Sequence, residues 1–160
     1  MIDSEGFRAN VGIILINKLQ EVFWAGRIGQ MDAWQFPQGG INEGEQPVEA
    51  LYRELYEEVG LQESDVRLLA ESEGWLSYRL PKKYRRYEQK PLCIGQRQKW
   101  FLLELCSSED KINFNTSDSP EFDRWRWVGY WLPIDEAISF KQKVYQRALQ
   151  EFEPIIFGTN

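Results

Sequence analysis

Arg53-Glu54-Leu55-Tyr56-Glu57-Glu58-Val59-Gly60-Leu61 decides how this chain is read. Its three glutamates fall at i, i+3 and i+4, a spacing that puts them on one face of a helix. At about 100° per residue, Glu57 lies roughly 60° to one side of Glu54 and Glu58 roughly 40° to the other. Like charges this close weaken a helix unless a counter-charge sits among them. The helix alone leaves two readings open. One is a solvated acidic face with Arg53 as partner. The other is an all-oxygen site for a hard cation such as Mg²⁺ or Mn²⁺. Pro47 suits a first helical position and Gly60 a stop after the last turn. Val48, Leu51, Leu55 and Val59 spread over about 80° of a second face, which packs on a sheet and leaves the glutamates at its rim.

The preceding segment, Phe36-Pro37-Gln38-Gly39-Gly40-Ile41-Asn42-Glu43-Gly44-Glu45, reads as a loop rich in turn formers. A glycine pair lets backbone come close to a ligand or adopt φ > 0. Exposed N–H groups feeding a helix N-terminus suit anions, and loop carbonyls can bind a metal. An ordinary strand-to-helix turn fits the same glycines.

The 160 residues hold 42% hydrophobic and 14% aromatic residues, enough for one globular domain over 1–160 with a full core. The formal charge of −6 argues against a general electrostatic binder of nucleic acid. No run approaches the roughly 20 apolar residues of a membrane span, and no basic-then-apolar leader opens the chain, so a cytoplasmic protein without membrane contact is expected. Cys93 and Cys106, isolated in apolar segments, are expected to be buried free thiols. The chain contains no histidine. That removes Ser-His-Asp and Cys-His catalysis and histidine zinc sites. General acid–base work falls to carboxylates, lysine, tyrosine or metal-activated water, which points back to the glutamates.

Asn10 to Asn17 is a continuous apolar run and reads as a central strand, with Glu21 to Arg27 as its hairpin partner. Trp34 to Phe36 is a short strand entering the glycine loop. Val66 to Leu80 and Pro91 to Cys106 are strand-like, joined by the basic connection Pro81-Lys82-Lys83-Tyr84-Arg85-Arg86-Tyr87. Arg124 to Trp131 alternates and reads as a late strand. Pro133 to Ile138 is a short helix. Lys141 to Phe152 is a final helix with Val144, Ala148, Leu149 and Phe152 inward. The pattern is α+β with a mixed sheet.

Loop and helix together have a specific spacing: Gly39, five residues, Glu45, seven residues, then Arg53-Glu54-Leu55-x-Glu57-Glu58-x-Gly60-Leu61. This resembles the signature box of the Nudix hydrolases, residues 39–61 here, with every defining position filled. The resemblance implies an α/β/α sandwich with a mixed central sheet, and hydrolysis of a nucleoside diphosphate linked to another moiety. It implies Glu54, Glu57 and Glu58 as metal ligands, Gly39 as a backbone-carbonyl ligand, and Arg53 and Glu45 as a brace between loop and helix.

The likeness runs through Asn10-Val-Gly, Trp34-Gln-Phe-Pro-Gln-Gly-Gly, Ile94-Gly-Gln-x-Gln-Lys-Trp-Phe-Leu-Leu, Pro120-Glu-Phe-Asp and Trp125-x-Trp-Val. These segments are similar to the bacterial RNA pyrophosphohydrolase branch of the family, a close relation of its dinucleoside polyphosphate hydrolases. The branch implies removal of pyrophosphate from 5′-triphosphorylated or diphosphorylated RNA, leaving a 5′-monophosphate that admits mRNA decay. A dinucleoside polyphosphate hydrolase is the alternative, and a non-catalytic nucleotide-binding module the remote one. By the same resemblance Glu121 is a distant metal ligand, and Mg²⁺ or Mn²⁺ the cofactor. Glu54 or Glu58 is the catalytic base, with Arg53 in the catalytic group. Arg8, Arg27 and Lys141 meet phosphates, Ile138 and Phe140 sandwich a base, and Gln38 and Gln96 add polar contacts. The basic run at Lys82–Arg86 either follows RNA phosphates or is simply solvated. Met1 fits a natural start. The chain lacks the basic tail common in this branch, and Gly29–Trp34 carries one residue more than the usual spacing.

Overall fold

The apolar run beginning at Asn10 is explained by a strand covered on both faces. β1 (Phe7–Ile16) lies parallel to β7 (Gly95–Leu105), with Phe7 opposite Gly95 and Ile16 opposite Glu104. Alternate residues then point to opposite layers. Val11, Ile13 and Leu15 pack with Phe101 and Leu103 against one helix, while Ile14, Ile16, Trp100 and Leu102 pack against another. The structure, a computed structural model, describes residues 2–158; the expected start at Met1 and the chain end at Asn160 lie outside them.

The remaining strands are β2 (Val22–Arg27), β3 (Trp34–Gln35), β4 (Gln38–Gly40), β5 (Val66–Glu71), β6 (Leu76–Arg79) and β8 (Phe122–Val128). The main path of the sheet runs β3-β2-β1-β7-β5, with β4 on β1, β6 on β7 and β8 on β2. Among the described residues only β1 and β7 pair in parallel, so the sheet is mixed. Helix α1 (Pro47–Val59) covers one face through Leu51, Leu55 and Val59. Helices α2 (Leu132–Glu136) and α3 (Ser139–Phe157) cover the other, α3 through Val144, Tyr145, Leu149 and Phe152. This is the α/β/α sandwich with a mixed sheet that the resemblance implies. Among the described residues no helix is long and apolar enough to cross a membrane.

Several expectations shift. Val48 is 39% exposed and stands outside the cluster in which Leu51, Leu55 and Val59 are buried. The stretch Val66 to Leu80 breaks into two strands where Ser72 Oγ accepts the Trp100 amide and donates to the Gly74 carbonyl. The segment from Pro91 joins β7 only at Gly95, and the late strand ends at Val128, where the Leu132 amide turns back to the Gly129 carbonyl. The glycine loop contains a strand: β4 pairs with Asn10–Gly12. Cys106 is exposed and Cys93 half-buried, both as free thiols, so neither is the buried core thiol expected.

Candidate active site

Helix α1 carries its glutamates to the edge of β4. Pro47 opens the helix, and Gly60 closes it at φ 82°, where the Gly60 amide donates to the Tyr56 carbonyl. Glu54 and Glu58 are only 9% and 7% exposed, whereas Glu57 faces outward. A Cβ built on Gly39 would lie 2.0 Å from the Glu54 carboxyl carbon, so that carboxylate rests against bare β4 backbone. The Gln38 amide donates to Glu58 Oε2 at 3.2 Å. An aromatic cluster fixes the approach to β4: Phe36 meets Tyr145 at 4.8 Å and Trp24 at 5.0 Å, and its amide donates to the Tyr145 hydroxyl.

Arg53 ties this corner together. Its Nε and Nη2 donate to Glu45 at 2.8 and 2.9 Å, Nη2 reaches the Gly40 carbonyl at 2.7 Å, and Nη1 reaches Glu54 at 2.7 Å and Glu57 at 3.4 Å. The planar guanidinium alone among side chains could span loop and helix this way.

The electrostatics are strained in the sense a cation relieves. Burial pushes the Glu58 carboxyl well above the usual carboxylate range, and Glu54 and Glu121 push it further, against the Gln38 amide. Burial also raises Glu54, with Arg53 opposing and Glu57 and Glu121 adding. Glu121, just before β8, thus shares the field of both. Among the described residues no three acidic side chains stand in a ready metal cage, since Arg53 holds Glu54 and Glu57 while Glu58 turns to Gln38. The donor set nevertheless fits a hard cation: four carboxylates, two of them buried in mutual repulsion, beside a strand whose residue 39 has no side chain.

A cleft of about 600 Å³ opens beside this corner, with Arg27, Gln38, Gln96, Ile138, Phe140 and Lys141 in its walls. Lys141 is 7% exposed, and its Nζ donates to Gln38 Oε1 at 3.3 Å. Burial, then the nearby Arg27, lowers its pKa to about 8, against Glu121 and Glu58. Gln38 also donates to the Tyr78 hydroxyl at 3.1 Å. Gln98 links back to Gln38 and to Asn10. Phe140 stands 5.7 Å from the Tyr78 ring and 5.4 Å from Tyr84, and Ile138 is exposed at the rim. Arg8 lines a smaller adjoining pocket instead, with Tyr84, Arg86 and Gln96 common to both. From the basic run, Tyr84 and Arg86 reach the cleft, while Arg85 is spent on the Leu80 carbonyl. Sequence reasoning missed Tyr78, Gln98 and Trp34. Alternation on β6 places Tyr78 with Leu76 on one face, but nothing local reveals that this face meets Phe140.

A NUDIX domain profile matches residues 6–152. The RNA pyrophosphohydrolase of Hahella chejuensis is 59% identical over 157 residues, covering 98% of this chain and 97% of that protein. The RNA pyrophosphohydrolase of Ectopseudomonas mendocina is 60% identical over 154 residues, covering 96% of each. Among solved structures, the E. coli dihydroneopterin triphosphate pyrophosphohydrolase superposes with a TM-score of 0.72 at 19% identity, over 91% of this chain and 96% of that one. A C. elegans Ap4A hydrolase superposes at 0.65 and 20% identity, over 94% of this chain and 99% of that one. These two share the fold. With the profile spanning nearly the whole chain and relatives identical at more than half of its positions, the protein belongs to the NUDIX domain family.

Proposed function

We propose that the chain, as one domain, is a metal-dependent RNA 5′-pyrophosphohydrolase that converts a 5′-triphosphate or diphosphate end to a 5′-monophosphate. One observation carries the reading. The glutamate corner is joined through Gln38, whose backbone amide reaches Glu58 and whose side chain accepts from Lys141, to a cleft that combines Arg27 and buried Lys141 with an aromatic wall. That pairing suits a phosphate chain attached to an unpaired base. The near-full-length relatives named RNA pyrophosphohydrolase support the same substrate.

In this reading Glu54, Glu57, Glu58 and Glu121, with the Gly39 carbonyl, would hold Mg²⁺ or Mn²⁺. A divalent cation bound there would neutralise phosphate oxygens and ease ionisation of a water. Arg27 and Lys141 draw the phosphate chain into the cleft, and Arg53 fixes the Glu54 carboxylate. Glu54 or Glu58 takes the proton from the attacking water as the anhydride bond breaks, and pyrophosphate leaves a triphosphate end or orthophosphate a diphosphate end. Ile138 and Phe140 grip a base and set the register of the strand. The RNA substrate places the enzyme in the cytoplasm. A dinucleoside polyphosphate is the second reading, because the same base grip accepts a mononucleotide end.

The test is product analysis with a 5′-triphosphorylated oligonucleotide and Mg²⁺. Pyrophosphate and 5′-monophosphorylated RNA are expected, and both should vanish in a chelator. Release that persists in the chelator contradicts the reading.

A further inference from the structure

One wall of the cleft is a loop, and one side chain outside the cleft's lining binds it at three carbonyls. Between β2 and β3 the chain turns through Arg27 to Ala33, and Arg27, Gln30 and Trp34 all face the cleft. The loop's own bonds are few: Arg27 N–H to Ala33 O at 2.8 Å, Gln30 N–H to Arg27 O at 3.2 Å, and a long Ala33 N–H to Gln30 O at 3.4 Å. Arg124, on β8, adds three more. Its Nη1 donates to the Arg27 carbonyl at 3.1 Å, and its Nη2 to the carbonyls of Gln30 at 2.5 Å and Met31 at 2.7 Å. Asp123 holds Nη1 from the side at 2.7 Å.

The sheet is built to let Arg124 do this. Gly26 pairs with Arg124 on one side and with Trp34 on the other, so the three form one row across β8, β2 and β3. A Cβ on Gly26 would fall 2.6 Å from Arg124 side-chain atoms. The guanidinium therefore lies across the bare strand and sits 4.9 Å from the Trp34 ring centroid. Arg126 approaches the same ring at 4.4 Å. Glu121, just before the strand that carries Arg124, adds one further bond to the loop: its carbonyl accepts the Ile28 amide at 3.0 Å.

We infer that Arg124 is a positioning residue: it fixes the backbone of the Arg27–Ala33 loop and thereby aims the Arg27 side chain into the cleft. The inference rests on the reading that Arg27 contacts substrate phosphate. One guanidinium serves three carbonyls at once, which a lysine ammonium on a flexible stem does not reproduce.

The experiment is a double-substitution cycle measured in Mg²⁺ on 5′-triphosphorylated RNA and on diadenosine tetraphosphate, scored on whichever the parent turns over faster. Arg124→Gln should raise KM about tenfold with kcat within about threefold, since binding geometry is lost and the glutamate corner is not. Arg124→Lys should fail to restore KM. Gly26→Ala, which displaces the guanidinium without removing it, should reproduce the defect. Combined with Arg27→Gln, Arg124→Gln should add almost nothing. Hydrogen exchange should quicken at Ala33 and Gln30 while the core amides of β1 stay protected. Unchanged KM in Arg124→Gln, full rescue by lysine, or additive losses in the cycle would each overturn the inference. Substrate choice by the parent decides the functional reading separately.

Discussion

The Glu54 carboxyl carbon sits 2.0 Å from where a β-carbon on Gly39 would be. The atom in the way is the end of a flexible side chain, so Gly39→Ala can be accommodated by swinging Glu54 aside. The fold should survive while the carboxylate leaves its place. Gly39→Ala should therefore keep its melting temperature within a few degrees and lose about 100-fold in kcat, as misplacement of a reacting group commonly costs. Circular dichroism and steady-state kinetics check the pair; a folded variant with parental kcat would exclude this role for the contact.

Glu58 holds a charge the fold resists. Its folded pKa lies well above the ordinary 4.5, chiefly from burial. At pH values between those two, the folded state binds more protons than the unfolded state, so stability falls as pH rises through the folded pKa. In a chelator the parent should melt higher near pH 5 than at pH 8. Glu58→Gln, which keeps an acceptor for the Gln38 amide, should flatten that dependence, raise the metal-free melting temperature at pH 8, and abolish turnover. Thermal melts against pH with and without Mg²⁺ read the first two, and a steady-state assay in Mg²⁺ reads the third.

Lys141 titrates in the opposite sense. Its folded pKa is lowered to about 8 from 10.5, mainly by burial. Between those values the unfolded chain binds the extra proton, so its contribution to stability increases with pH across that window. Phosphate binding needs the charged form, so kcat/KM should decline as pH climbs through about 8 even as the protein grows no less stable on this account. Lys141→Met should remove that limb of the profile and raise KM at pH 7.

The Phe140 ring lies 5.7 Å from that of Tyr78 and 5.4 Å from that of Tyr84, both tilted against it. Stacking a base on an aromatic contributes roughly 1–3 kcal/mol by alanine substitution. Phe140→Ala should raise KM for RNA by about tenfold and leave pyrophosphate hydrolysis of bound substrate nearly intact. A fall confined to kcat would place Phe140 elsewhere in the account.

The sequence made the frame legible where the forces are local. Pro47 and Gly60 bound α1, the apolar run at Asn10 marks a doubly covered strand, and the glutamate spacing puts three carboxylates on one turn. It hid what depends on pairing across the chain. β4 looks like loop because two of its three residues are glycines, and only the register with Val11 makes it a strand. Tyr78 and Gln98 become wall and network through strands that meet β1 and α3, a contact no local pattern encodes. Arg124 alternates like any strand residue; its reach to the Arg27 loop needs Gly26 beside it, and that neighbour lies 98 positions earlier in the chain. Cys106 was expected inside an apolar segment and sits just past the strand's end, in solvent.

In the proposed reading the glutamate corner and the basic, aromatic cleft act together on the 5′ end of RNA. The most direct measurement is the ratio of kcat/KM for a 5′-triphosphorylated oligonucleotide to that for diadenosine tetraphosphate, in the same Mg²⁺ buffer. A ratio well above one is expected. A higher value for the dinucleotide in the parent protein would contradict it.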